Sequence, residues 1–195
     1  MFLELFGGIA CLDFANTLDG RATARPEESL RSYADLSDWS AYAGLIDPAT
    51  AARLQRRGTD ADLRTAVVLR EAIFEVFAAV GRKQTAPTAA LATVQSHYAE
   101  AMAAARLVPT EPGYDWQFTG DDPARAWWPA AVSAIRLLTD GPLNRVKVCA
   151  AQAGCIGLFL DTSKNRSRRW CTMDGCGIEA KIQRQASRRR AARHT

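Results

Sequence analysis

Five cysteines stand in the chain, and four of them fall in its last quarter: Cys149 and Cys155, then Cys171 and Cys176. A thiolate can act as a nucleophile, a redox centre or a soft metal ligand, and its company decides which. No nucleophile motif, P-loop or dinucleotide fingerprint accompanies these. The two histidines offer no catalytic set: His97 sits among alanines in a helical stretch and His194 in the terminal tail. What remains is spacing, C-x5-C, fifteen residues, then C-x4-C. In a secreted chain such pairs would read as disulfides; without a signal peptide, two close pairs flanking a short segment read as a metal site. Zinc suits four thiolates in a closed tetrahedral shell and needs no redox chemistry. Four protein ligands leave no position for a reacting water, so the expected metal is structural and the chain is read as a binding protein, not an enzyme. Cys11 stands apart in an apolar setting and reads as a small buried hydrophobe.

The elements that must position these sulfurs follow from the residues around them. In "IGLFLDTSKNRSRRW", Ile156, Leu158 and Leu160 alternate with Gly157 and Phe159, turn residues follow, and "RRW" leads into Cys171, which reads as a β-hairpin between the pairs. After Cys176 a helix is expected: Ile178, Ile182 and Ala186 recur every four residues, with Lys181, Arg184 and Arg188 on another face. Knuckle, hairpin and a second pair at a helix start is the order of a treble-clef zinc module. Gly154, Gly175 and Gly177 allow tight turns near sulfur. A helix N-terminus at Cys176 favours its thiolate.

Charge separates this region from the rest. From Asp161 onward ten Lys and Arg face three acidic residues, a net of +7, while the whole chain carries +4, so the remainder carries −3. An acidic body with a basic tail predicts an anionic partner. With 48% hydrophobic and 24% charged residues, the 195-residue chain is globular in composition and long enough for a real core. The apolar opening lacks a basic n-region and is interrupted by Glu4 and Asp13, and no segment reaches the ~18 uninterrupted apolar residues of a membrane span. The expected location is the cytoplasm, with no membrane partner.

Upstream of Pro142 the pattern is mainly helical. "LELFGGIACLDFANTL" reads either as two strands about a Gly7-Gly8 turn or as a helix from near Ile9. Leu30, Tyr33, Leu36, Trp39, Ala43 and Ile46 predict a helix from Ser29, Asp47-Pro48 starts a short one ending near Gly58, and a long one runs from Thr59 or Asp60 to Gly81. A fourth follows Pro87 and carries Leu91, Val94, Tyr98, Met102 and Ala105, "YDWQF" alternates as a strand, and a last helix spans about Pro123 to Leu138. The expected fold class is α+β: a mainly helical body over 1–142 and a treble-clef-like zinc module, hairpin plus helix, over 143–195.

The stretch "VCAAQAGCIGLFLDTSKNRSRRWCTMDGCGIEAK" resembles the CGNR zinc finger, a bacterial module with paired cysteines, an "LFxD" strand, an "RRWC" lead-in and a Cys-Gly-Asn-Arg signature before a basic helix. "LFGGIACLDFANTLDGR" resembles the ABATE domain that precedes this finger. The resemblance implies a stress-induced transcriptional regulator that binds DNA through the finger. One departure stands out: Cys176-Gly177-Ile178-Glu179 replaces the signature, so an Asn and an Arg are lost and a carboxylate is gained. Either a nucleic-acid contact is missing here, or the lost Arg was a brace and Ile178 packs on the hairpin instead.

The function read from all of this is a DNA-binding transcription regulator built on a structural four-cysteine zinc finger. Its contacts would be Lys164 and Arg166 in the hairpin turn, Arg168 and Arg169 beyond it, and Lys181, Arg184, Arg188, Arg189 and Arg190 on the helix. The alternatives are RNA, with Trp170 and Phe159 stacking bases, and a zinc-stabilised module docking on an acidic protein. A body that senses a ligand is a further alternative, with Asp13 and Asn16 lining the pocket, although the two read equally as a cap and its partner. A homodimer would suit paired half-sites, but no heptad marks a seam.

Overall fold

In the computed structural model residues 4–151 and 154–191 are described, without the side chains of Arg188, Arg190 and Ala191. Among them are seven α-helices and three antiparallel strand pairs, an α+β fold. The body is laid out around α4 (Asp60–Gly81), whose start is fixed by a reciprocal cap: Thr59 Oγ1 accepts from the Asp62 amide, and the Asp62 carboxylate accepts from the Thr59 amide. Its Leu69, Ile73, Val76 and Phe77 are fully buried. Against it or its neighbours pack α1 (Ala10–Ala15), α2 (Tyr33–Tyr42), α3 (Pro48–Gln55), α5 (Thr88–Ala104) and α6 (Trp128–Thr139). No helix among the described residues is long and apolar enough to cross a membrane.

The first segment resolves as the helical alternative, with Ile9 at the N-cap of α1. Asp47 caps α3 by accepting from the Thr50 amide, with Pro48 in the first turn. The helix expected from Ser29 begins later: Ser32 is its cap, and Leu30 is buried from the loop before it. Two short strands bridge that loop, β1 (Leu18–Asp19) and β2 (Glu27–Glu28). Ala105, read as the end of α5, instead opens β3 (Ala105–Pro109), which pairs with the expected β4 (Tyr114–Phe118). Alanine is a strong helix former, but here cross-strand pairing overrides propensity.

The third strand pair carries the cysteines, and its placement differs from the sequence expectation. Strand β5 (Val146–Val148) pairs with β6 (Leu158–Leu160), so the hairpin encloses the first cysteine pair and does not lie between the two pairs. A three-residue "VKV" shows too little alternation to be recognised from sequence. The hairpin is docked on the body. Val146 and Leu158 belong to the same apolar core as α4, and the Leu160 amide donates to the Gly7 carbonyl. Asn16, at the end of α1, donates from Nδ2 to the Leu158 carbonyl (2.8 Å) and accepts at Oδ1 from the Leu158 amide (2.9 Å). One side chain thus completes the backbone bonding of a buried strand.

Truncating Asn16 to alanine strands a buried amide and a buried carbonyl, each at a cost of roughly 1–3 kcal/mol. We expect Asn16→Ala to lose about 2–4 kcal/mol in urea unfolding, while Asn165→Ala on the exposed turn changes by less than about 0.5 kcal/mol. A loss for Asn16→Ala no larger than that of the control would show that other contacts dock the module.

Candidate metal centre and nucleic-acid interface

The sulfurs are assembled by backbone bonds. The Cys149 amide donates to the Gly157 carbonyl, extending the β5–β6 ladder by one step, and the Ala150 amide donates to the Arg169 carbonyl, drawing the second pair alongside the first. Gly154 turns the chain between Cys149 and Cys155 at φ 88°, where a Cβ would lie 2.9 Å from the Ala22 carbonyl oxygen. Amides of Cys171 (3.4 Å) and Ala151 point at the Cys149 sulfur, and that of Gly157 at the Cys155 sulfur. Cys176 lies in a π turn, Met173–Gly177, capped by Thr172, immediately before α7 (Ile178–Ala191). It therefore precedes the helix instead of opening it.

All four Sγ atoms lie within 4.8 Å of one another, with Cys155–Cys171 and Cys171–Cys176 at 3.6 Å. Those separations are far beyond a disulfide's ~2.05 Å. They are close to the ~3.8 Å edge of a tetrahedron with metal–sulfur bonds of ~2.3 Å. The charges agree. Hydrogen bonds from Cys155 and Cys171 pull Cys149 toward the thiolate, and the same bonds together with burial hold Cys171 and Cys155 protonated; burial does the same to Cys176. Four thiolates can share so small a space only around a cation, and the donor set fits zinc. Cys11 lies outside the cluster, fully buried, its thiol pushed up to about 12 by burial.

Beside the sulfurs, the turn from Asp161 to Arg168 is wound on one carboxylate that local spacing does not single out. Asp161 is fully buried and accepts from Lys147 Nζ (2.5 Å), the Ser163 hydroxyl (2.6 Å) and the amides of Ser163 and Arg168. Lys147 spends its other donors on the carbonyls of Arg166 (2.6 Å) and Arg168 (2.9 Å). Burial opposes ionisation of Asp161, but the bonds from Lys147 and Ser163 outweigh it and hold the carboxyl below the ordinary range.

Arg168, one of the positions expected on a nucleic-acid surface, is a half-buried brace in the same assembly. Its guanidinium lies 4.5 Å from the Phe159 ring centroid and donates to the carbonyls of Trp170 and Cys171. Phe159 itself is fully buried, so it cannot stack a base. Ile178 does not pack on the hairpin; it is exposed. Asp13 and Asn16, read either as pocket residues or as a cap and its partner, are both engaged, Asn16 as the C-cap of α1. Asn16 is occupied by Leu158, and Asp13 accepts from the Gly7 amide (2.7 Å), its carboxyl pushed up to about 6 by burial. The space beside them is only about 10 Å³, room for one water and no ligand. The large cleft lies elsewhere in the body, about 620 Å³ with Ile46, Trp116, Phe118, Arg125, Val132 and Arg136 among its walls.

The remaining basic positions are on the surface. Lys164 and Arg166 are exposed on the Asp161 turn, Arg169 lies over Trp170, and Lys181, Arg184 and Arg189 are exposed along α7. The side chains of Arg188 and Arg190 lie outside the described residues. Among the described residues none of these exposed cations has a carboxylate partner. Several of the body's arginines are paired, while others, such as Arg25, Arg56, Arg64 and Arg82, are exposed without a carboxylate partner among the described residues. Arg70, 2% exposed, is held by Glu28 and Glu71, Arg21 by Glu71, and Arg53 by Asp121.

Because the folded Asp161 carboxyl is held below its unfolded value of about 4, its stabilisation is complete above that pH and drains away as pH falls from there through the lower folded value. We expect Asp161→Asn to cost about 2–4 kcal/mol at pH 7, since it removes a buried charge partner of Lys147. In urea unfolding the gap between parent and variant should narrow steadily from pH 5 to pH 2. A gap that does not change with pH would contradict this role.

A comparison with curated proteins gave no match. Comparison with family models gave two matches that together run from residue 8 to residue 190. Residues 145–190 match the CGNR zinc finger, the segment that holds all four clustered cysteines. Residues 8–141 match the ABATE model, whose description is "Putative stress-induced transcription regulator". The chain belongs to the ABATE family and carries a C-terminal CGNR zinc finger in which Cys149, Cys155, Cys171 and Cys176 hold a structural zinc ion.

Proposed function

We propose that this protein is a cytoplasmic DNA-binding transcription regulator, and that α7 with the Asp161 turn forms its DNA-contacting surface. The observation that carries the reading is the density of unpaired positive charge on the C-terminal module, where ten Lys and Arg from Asp161 onward face three acidic residues. The exposed Lys164, Arg166, Arg169, Lys181, Arg184 and Arg189 all lie within one short module, and none has a carboxylate partner among the described residues. Unmatched cations gathered on one small module are the electrostatic footprint of a phosphate-binding surface. A groove of about 470 Å³ between α7 and the Arg169-Trp170 segment adds Lys181 and Arg184 to its rim and has no acidic residue in its lining.

The role is binding and not catalysis. His97 is buried, which lowers its pKa despite nearby Glu100, so at neutral pH it is an uncharged core residue. Ligand sensing by the body, the second reading, has a physical place in the 620 Å³ cleft, whose walls combine Trp116 and Phe118 with Asp47, Asp115, Arg125 and Arg136.

The zinc-loaded chain titrated against a random-sequence duplex over a salt series tests the first reading. Its log–log slope should be steep and should shrink by about 2–3 in a Lys181→Ala, Arg184→Ala, Arg189→Ala variant, at ~0.9 per lost phosphate contact. Absence of binding near ~0.15 M salt, or an unchanged slope, would overturn it.

A further inference from the structure

The outer face of α7 carries two isoleucines that the fold leaves unused. Ile178 is 48% exposed and Ile182 59%, one turn apart, and neither belongs to an apolar cluster of the described residues. A lone exposed hydrophobe is ordinary. Two stacked on the first turns of an otherwise polar helix make a stripe with a direction. Helical period places Arg189 on the same face, two turns farther on. Glu179 turns away from it, toward a cavity over Cys155, Cys171 and Cys176, and Lys181 and Arg184 line the groove on the other side. The stripe is thus apolar at its centre, cationic at its far end and flanks, and clear of the one carboxylate on the helix.

We infer that Ile178 and Ile182 read thymine methyl groups in the major groove of duplex DNA, an inference that rests on the DNA reading above. The thymine C5-methyl is the apolar feature that base edges present in that groove, and a docked helix offers its N-terminal residues to base edges. Phosphates on either side then meet the cations that flank the stripe. A second copy of this helix fits less well as the occupant. The apolar run ends after two turns at Gln185 and Arg189, too short for a coiled-coil seam, and pairing would bring like charges together. The departure from the family signature gains a purpose here: position 178, Asn in the signature, becomes a methyl-reading side chain.

The test compares two duplexes with identical hydrogen-bonding edges, an alternating A·T 24-mer and its A·U counterpart, which lacks only the methyls. The full zinc-loaded chain should bind the A·T duplex more tightly by about three- to fourfold per methyl contacted, and about tenfold for two. The double variant Ile178→Ala, Ile182→Ala should bind both duplexes equally with an unaltered salt slope; both sites are exposed and alanine favours helix, so folding is not at risk. Binding to both duplexes with equal affinity by the parent would overturn the inference and leave the DNA reading standing. Absence of binding to either duplex would overturn the DNA reading itself. A concentration-dependent dimer that the double variant abolishes would assign the stripe to a second copy and overturn the inference.

Discussion

Four sulfurs within 4.8 Å of one another are the constraint on which the C-terminal module depends. The buried apolar residues around them are few, Cys149, Phe159 and Cys171, with Phe6 and Trp170 half-covered at the edge. A cluster of that size cannot fix a helix by burial alone. Metal–sulfur bonds supply what it lacks: zinc joins the hairpin connection, through Cys149 and Cys155, to the lead-in at Cys171 and the π turn at Cys176. Because α7 packs chiefly on that π turn, its direction relative to the body is set through the metal.

A second layer of polar contacts transmits that order into the body. Asp161 and Lys147 wind the turn that carries Lys164 and Arg166, and Arg168 closes it against Phe159. On the other side Asn16 bonds both backbone groups of Leu158, so the strand that follows the first cysteine pair is held by the body's first helix. The module is therefore an outgrowth of the body's core, not a finger on a tether. Its charge follows the same division. Inside, cations are consumed by Asp161 or by carbonyls; outside, they are left to solvent or a partner.

Much of this is legible in the sequence, and the losses share one cause. The zinc ligands, the Asp47-Pro48 and Thr59 caps and α4 are written in local spacing, which a single pass can read. The contacts that hold them in place join residues far apart. Asn16 meets Leu158 across 142 positions, and Arg70 meets Glu28 across 42. Asn16 is visible as a polar residue among apolar ones, but nothing nearby shows that its partner is a strand. The true hairpin escapes sequence reading because "VKV" is short and "RRW" looks more like a strand than it is. Asp161 stands in plain view in the turn, where an aspartate reads as turn chemistry until Lys147 is seen beside it.

In the function proposed above, zinc positions α7 as the DNA-contacting surface. The direct measurement is DNA affinity of the full chain as a function of bound zinc, with helix content of the body followed in parallel. Affinity for a duplex should rise in proportion to zinc occupancy and saturate at one ion per chain, while the body's helices persist without metal. An apo chain that binds the duplex as tightly as the loaded one, with the same dependence on salt, would contradict it.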